Sequence, residues 1–248
     1  MARIEGASWR ARLGLIVPSW NTVMEFECGR MAPVGVSLHV ARIAHTADTE
    51  DNLRAMARVF PATADLLAHA RVDAVCFGCT ASGFIQEGAG ADAALARAVA
   101  ERTGIPTVTT SQAIVDALQR LGAERVAVAS PYEAWLNERL RAYLEGAGFA
   151  VVGIAGFGTQ EHARCSLEET CRLAEGVATD DAEALLISCT NFRTLEIIDH
   201  LEAALSRPVV TSNQASLWRL LALAGIDDAV PGAGRLLAQP RTLVGTRR

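Results

Sequence analysis

Not one lysine occurs in the 248 residues: the 23 basic side chains are all arginine, set against 28 acidic ones for a net charge of −5. Those arginines are scattered, and neutralising phosphates takes grouped cations, so nucleic acid is excluded as a partner. The glycine-rich stretch 156–160 lacks the lysine, and the length, of a phosphate loop. No apolar run is long enough to span a bilayer, and residues 1–12 lack an apolar signal core, which predicts a cytoplasmic protein with no membrane partner. There are six cysteines but no dense secreted-type spacing, which favours reduced thiols over a disulfide framework. Cys76-x-x-Cys79 has the spacing of a redox pair or of half a zinc site, but both readings are weak, since no second Cys-x-x-Cys or Cys/His cluster completes four ligands. Cys76 lies inside an apolar run and reads as a small buried hydrophobe. With no nucleophile elbow and no dinucleotide fingerprint either, neither metal nor cofactor is expected.

What is present is an α/β pattern. Half of the residues are hydrophobic and 21% are charged, a globular composition uninterrupted by linkers or low-complexity tracts. Short apolar runs end in small or polar residues and lead into helical periodicity, the signature of buried parallel strands feeding helices. Strands are predicted at 13–17, 36–44, 73–78, 105–110, 125–129, 149–155, 184–188 and 208–211. Helices are predicted over 49–70, 91–102, 111–121, 133–145, 166–178, 194–205 and 213–224.

An internal repeat divides this pattern. Arg12-Leu-Gly-Leu-Ile-Val-Pro-Ser19 echoes Arg125-Val-Ala-Val-Ala-Ser-Pro-Tyr132, and Pro106-Thr-Val-Thr-Thr-Ser-Gln-Ala113 echoes Pro208-Val-Val-Thr-Ser-Asn-Gln-Ala215. Between these pairs lie two matching strand ends, Gly78-Cys79-Thr80-Ala81 and Ser188-Cys189-Thr190-Asn191. The offsets of 113, 110 and 102 fit duplication with small indels. Two pseudo-symmetric α/β lobes with parallel sheets are therefore expected, each bringing one thiol to a cleft between them, since open parallel sheets bind ligands at their carboxyl ends. An opposed thiol pair suits metal-free chemistry: one thiolate attacks carbon or takes a proton while the opposite thiol donates one. A helix N-terminus beside each would favour the thiolate. Thr80 and Thr190, with the loops at Asn21 and Tyr132, could hold carboxylates. On spacing alone, Asn21 is better explained as a helix cap, and His45 could face the cleft but reads first as a solvated loop histidine. The glycines of 156–160 are expected where backbone approaches backbone or ligand.

The stretches Pro18-Ser-Trp-Asn-Thr-Val-Met-Glu25, Gly78-Cys-Thr-Ala-Ser-Gly83, Ser130-Pro-Tyr132 and Ser188-Cys-Thr-Asn-Phe-Arg-Thr194 resemble the maleate cis-trans isomerase branch of the aspartate/glutamate racemase superfamily. Arylmalonate decarboxylase and ectoine-utilisation proteins of the EutA type are relatives of that branch. The resemblance implies two flavodoxin-like lobes, the first formed by residues 1–112 and 213–248 and the second by 113–212, with the active site between them. It also implies that Cys79 adds to a double bond and Cys189 handles the proton at the neighbouring carbon, while Ser19, Asn21, Thr80, Ala81, Tyr132, Thr190 and Asn191 surround a small carboxylate substrate. A homo-oligomer is compatible with it. Decarboxylases of the superfamily carry glycine at the first position, so Cys79 argues against simple decarboxylation. Isomerization of a dicarboxylate leads, two-base racemization of an amino or hydroxy acid is the alternative, and a non-catalytic acid-binding protein is a third reading. Three departures bear on the substrate: Trp20 in place of a small residue, Ala81 where serine is common, and a loop at Thr159-Gln-Glu-His162 without the usual Asp-Asn.

Overall fold

The computed structural model describes residues 6–86 and 90–239. In the first half, β1 (Ala11–Pro18), β2 (Val36–Ile43), β3 (Ala74–Phe77) and β4 (Thr107–Thr109) form a parallel sheet in the order β2-β1-β3-β4. In the second, β5 (Arg125–Ser130), β6 (Ala150–Gly156), β7 (Ala184–Ile187) and β8 (Val209–Thr211) repeat that order as β6-β5-β7-β8. The two sheets thus have one topology, as the internal repeat predicts. Central strands β3 (Ala-Val-Cys-Phe) and β7 (Ala-Leu-Leu-Ile) are buried along their whole length, which is why they read as unbroken apolar runs and not as alternating ones.

Helices cover the sheets: α1 (Met24–Met31), α2 (Glu50–His69), α3 (Thr80–Phe84), α4 (Ala91–Thr103), α5 (Thr110–Arg120), α6 (Ala134–Gly146), α7 (Leu167–Val177), α8 (Ile198–Leu205), α9 (Ser212–Leu223) and α10 (Gly234–Ala238). The long α2 buries Leu53, Met56, Phe60, Ala64 and Leu67, one stripe at helical spacing, and Phe60 stacks on Phe77 of β3 with centroids 4.4 Å apart. The repeated Thr-Thr-Ser-Gln and Thr-Ser-Asn-Gln motifs have a local cause. Thr109 and Thr211 end their strands in extended conformation, and their hydroxyls accept from the backbone N–H of Gln112 and Gln214, turning the chain at once into α5 and α9. These two helices pack against each other between the sheets.

Two expectations are corrected. The helix predicted at 194–205 begins only at Ile198, after a 3-10 turn over Leu195–Ile197. Glu27 of α1 reaches across and accepts from the N–H groups of Thr194 (2.6 Å) and Leu195 (2.9 Å), holding them in a turn. The chain after Cys79 does become helical, but for the five residues of α3 only. Among the described residues, no helix is long and apolar enough to cross a membrane.

Candidate active site

Both thiols stand where β3 and β7 run out, and the turns that carry them are tied together across the sheets. The Thr80 hydroxyl donates to Ser212 Oγ (3.0 Å), which also accepts from the backbone N–H of Cys189 (2.9 Å). In the other direction, the Thr190 hydroxyl donates to the Gly78 carbonyl (3.0 Å) and accepts from Asn21 Nδ2 (3.1 Å). Gly78 has to be glycine here: a Cβ would come within 2.6 Å of Met24 Sδ and 3.1 Å of the Ile16 carbonyl. The two cysteines differ in backbone. Cys79 is extended with φ −136°, whereas Cys189 has φ +132°, a region that costs a side-chain-bearing residue about 1–3 kcal/mol. Its N–H bond to Ser212 holds it there, together with the bond from the Asn191 N–H to its own Sγ (3.4 Å).

Cys79 and Cys189 line one small pocket of about 10 Å³, room for about one water molecule. Thr80, Ala81, Tyr132, Thr190 and Asn191 line it as well, so seven of the nine residues expected from the sequence meet there. Asn21 and Ser19 do not line it. Asn21 Oδ1 accepts from the N–H groups of Val23 and Met24, the capping role that its spacing allowed, while its amide braces Thr190. Ser19 exchanges hydrogen bonds with the backbone of His45 and so shapes a loop instead of facing the cavity.

The rest of the wall comes from the loops after β2 and β6. His45 is 3% exposed, which corrects its reading as a solvated histidine: its Nε2 bonds Asp48 Oδ1 at 2.8 Å. His162 is equally buried, with Nε2 3.5 Å from Asp48 Oδ2 and Nδ1 3.5 Å from Cys189 Sγ. Trp20 covers both imidazoles edge-on, with ring centroids 5.1 and 5.4 Å away. The Asp48 N–H donates to Gln160 Oε1 (2.9 Å), and Gln160 Nε2 donates to Glu133, so the two loops close over the cavity from opposite lobes. At the base of the second loop, Gly156 allows a close approach: a Cβ would lie 2.5 Å from the Tyr132 carbonyl. Outside this closure lies a vestibule of about 360 Å³. Trp20, His162 and Asn191 border both spaces and form the partition between them.

Burial dominates the electrostatics. It pushes the Cys79 thiol up to about 12 and Cys189 well above the ordinary thiol value, in each case reinforced by the charge of Asp48. Tyr132 is raised by burial and by the neighbouring thiols and Asp48. His162 is lowered by burial, with Asp48 opposing. The expected stabilisation of a thiolate by an adjacent helix end is present at Cys79, where the N–H groups of Ala81 and Ser82 at the start of α3 act to lower the thiol, but burial outweighs it; no helix starts at Cys189, so the expectation fails there. Two ring nitrogens in the wall, His45 Nδ1 and His162 Nε2, are buried without a hydrogen-bond partner. Among the described residues, no group of three His, Cys, Asp or Glu side chains is arranged to hold a metal ion.

Sequence reasoning weighs a cleft-facing His45 and sets it second, and it gives no role to His162 or Asp48. The histidines do carry a signal, because His45 and His162 follow the equivalent strands β2 and β6 at nearly the offset of the repeat.

A family model described as arylmalonate decarboxylase matches residues 13–237. The chain is 36% identical over 155 residues to an arylmalonate decarboxylase of Bordetella bronchiseptica, covering 60% of this chain and 65% of that one. To a maleate isomerase of Pseudomonas putida it is 28% identical over 243 residues, covering 92% and 97%. Among solved structures, a cysteine-to-alanine variant of a Pseudomonas putida maleate isomerase with maleate superposes at TM-score 0.89 and 27% identity, covering 92% of this chain and 98% of that one. A cysteine-to-serine variant of the Nocardia farcinica maleate cis-trans isomerase, with a covalently bound succinylcysteine intermediate, superposes at 0.86 and 26% identity with the same coverage. With its two matched parallel sheets and a family match that runs through both, the chain belongs to the arylmalonate decarboxylase family.

Proposed function

We propose that this protein is a cofactor-independent isomerase that converts a small cis dicarboxylate of the maleate type into its trans isomer, with both cysteines taking part. The observation that carries the reading is the pair of thiols, one from the end of β3 and one from the end of β7, lining a single small pocket. The full-length maleate isomerase relatives, one of them holding a succinylcysteine, support it. In the proposed cycle, the sulfur of Cys79 bonds to one olefinic carbon and the neighbouring carbon takes a proton from the Cys189 side. The former double bond, now single, rotates. Cys189 removes a proton from that carbon, the carbon–sulfur bond breaks and the trans alkene leaves. Because the cavity as closed has room for about one water molecule, the loops after β2 and β6 must part to admit the substrate; Thr80, Tyr132, Thr190 and Asn191 then surround the reacting carbons and hold the carboxylates, with Ala81 in the wall.

A specific observation favours a second reading. Asp48 places a carboxylate in the wall of the cavity, where it could pair with the ammonium group of an amino acid, and Cys79 and Cys189 would then act as the two bases of a racemase. Incubation in deuterium oxide with maleate, and separately with single enantiomers of aspartate, followed by proton NMR, separates the two. Fumarate formation is expected. No fumarate, together with deuterium at the α-carbon of an amino acid, would replace the isomerase reading with the racemase one.

A further inference from the structure

The proposed cycle has a difficulty in this cavity. It needs a thiolate, yet burial and Asp48 raise both thiols, and among the described residues neither Lys nor Arg lines the wall. The groups there that can take a proton from a thiol are the imidazoles and Asp48. Only one imidazole reaches a sulfur: His162 Nδ1 lies 3.5 Å from Cys189 Sγ, within range of a thiol hydrogen bond.

We propose that His162 is the base of this site: it takes the proton of Cys189, so that the cysteine pair carries one negative charge, with Asp48 behind the imidazole and His45 fixing Asp48. This rests on the isomerase reading for its turnover consequences, but the relay itself belongs to the substrate-free protein.

The geometry forms a line. His45 Nε2 donates to Asp48 Oδ1 (2.8 Å), the other oxygen of Asp48 lies 3.5 Å from His162 Nε2, and the far nitrogen of His162 meets the thiol. A neutral His162 that accepts from Cys189 at Nδ1 carries its proton on Nε2, facing Asp48. Proton transfer makes it an imidazolium between a carboxylate and a thiolate, two charges that oppose the lowering that burial imposes on His162. The books balance in protons. Cys189 gives its proton to His162, the Cys189 thiolate takes the proton of Cys79, the Cys79 thiolate adds to the alkene, and the regenerated Cys189 thiol protonates the neighbouring carbon. The reverse sequence expels product, and His162 returns its proton to the pair. His162 is therefore a catalytic residue that touches a reacting sulfur, while Asp48 and His45 are positioning residues. It also explains the inequality of the two cysteines: only Cys189 has an imidazole, and only Cys189 is held at a positive φ.

The groups that face His162 are Asp48 and His45 from the loop after β2, Glu133 ahead of α6, Tyr132 and Cys189. The test compares wild type, His162→Gln and Asp48→Asn in two assays. The first is substrate-free: alkylation by iodoacetamide across the pH range, resolved by site with mass spectrometry. The relay expects alkylation of Cys189 near neutral pH to fall about 10²-fold in His162→Gln, the scale of a lost general base, with a smaller fall in Asp48→Asn. The second is the pH profile of kcat with maleate, in which the acid limb set by the imidazole should vanish in His162→Gln as kcat falls by about 10²-fold. If His162→Gln does not fold, Asp48→Asn, which keeps the imidazole, carries both assays. Wild-type alkylation and pH profile in the folded variants would overturn the relay and leave isomerization standing. Absence of maleate turnover in wild type, with Cys189 alkylation still dependent on His162, would remove the isomerase reading and leave the relay.

Discussion

Ser212→Ala removes one oxygen that two halves of the site share. Ser212 Oγ is fully buried and accepts from the Thr80 hydroxyl at 3.0 Å and from the Cys189 N–H at 2.9 Å. In the variant, both donors remain buried and lose their acceptor. A buried donor left unsatisfied costs about 1–3 kcal/mol, which puts the pair at roughly 2–6 kcal/mol. For a chain of this length, 1 kcal/mol moves Tm by about 2–4 °C, so a fall of roughly 4–24 °C is expected in scanning calorimetry. A second effect is specific to the site. The Ser212 bond helps to hold Cys189 at φ +132°, and once it is gone the backbone is free to relax toward a commoner conformation, carrying the sulfur away from His162. Misplacement of a reacting group by about 1 Å costs on the order of 10²-fold in rate. Maleate turnover well below Tm should therefore drop far more than any loss of folded protein explains. A Ser212→Ala protein with wild-type Tm and wild-type kcat would refute this use of the hydroxyl.

Other perturbations probe the core and the lobe contact. Burial raises Cys76 to about 11 and Cys79 to about 12, so both are neutral thiols in the folded chain and ionise more readily when it unfolds. Their contribution to stability is complete below the ordinary thiol range of about 8.5 and is lost as pH rises from there through the folded values; Tm should fall over that window, less steeply in Cys76→Ala, which should keep its activity and lose only about 1 kcal/mol. A Tm that is flat across that range would contradict the burial argument. Glu27→Ala strips the acceptor from the N–H groups of Thr194 and Leu195 and from Asn213 Nδ2 (2.7 Å), and should cost about 3 kcal/mol or more in urea unfolding; a loss under about 1 kcal/mol would mean that water replaces the carboxylate.

How much of this was legible in the sequence depends on whether a residue's role is local. Cys79 and Cys189 could be found because a buried parallel strand announces itself as an apolar run and the repeat paired the two ends. The turns into α5 and α9 were equally readable, since a threonine cap and its glutamine lie three residues apart. Glu27 could not be read this way. Its partners Thr194, Leu195 and Asn213 lie on the other side of the chain's fold, and it reads locally as one more acid in a short helix. The His45, Asp48 and His162 cluster was hidden for a related reason. Each stands in a polar loop, where a histidine is by default solvated, and only the closure of two loops from different lobes under Trp20 buries them. Had the repeat been followed past the strands into the loops, the matched positions of His45 and His162 would have shown.

Covalent addition by Cys79 is the centre of the account, and mass spectrometry of a Cys189→Ser protein incubated with maleate tests it most directly. The serine hydroxyl can still pass the Cys79 proton toward His162 but is a far weaker acid–base group than the thiol for the elimination step, so addition should outlast elimination, and a peptide containing Cys79 should gain the mass of one maleic acid while turnover stalls. A folded Cys189→Ser protein that binds maleate and shows no adduct on Cys79, or an adduct on a different cysteine, would contradict it.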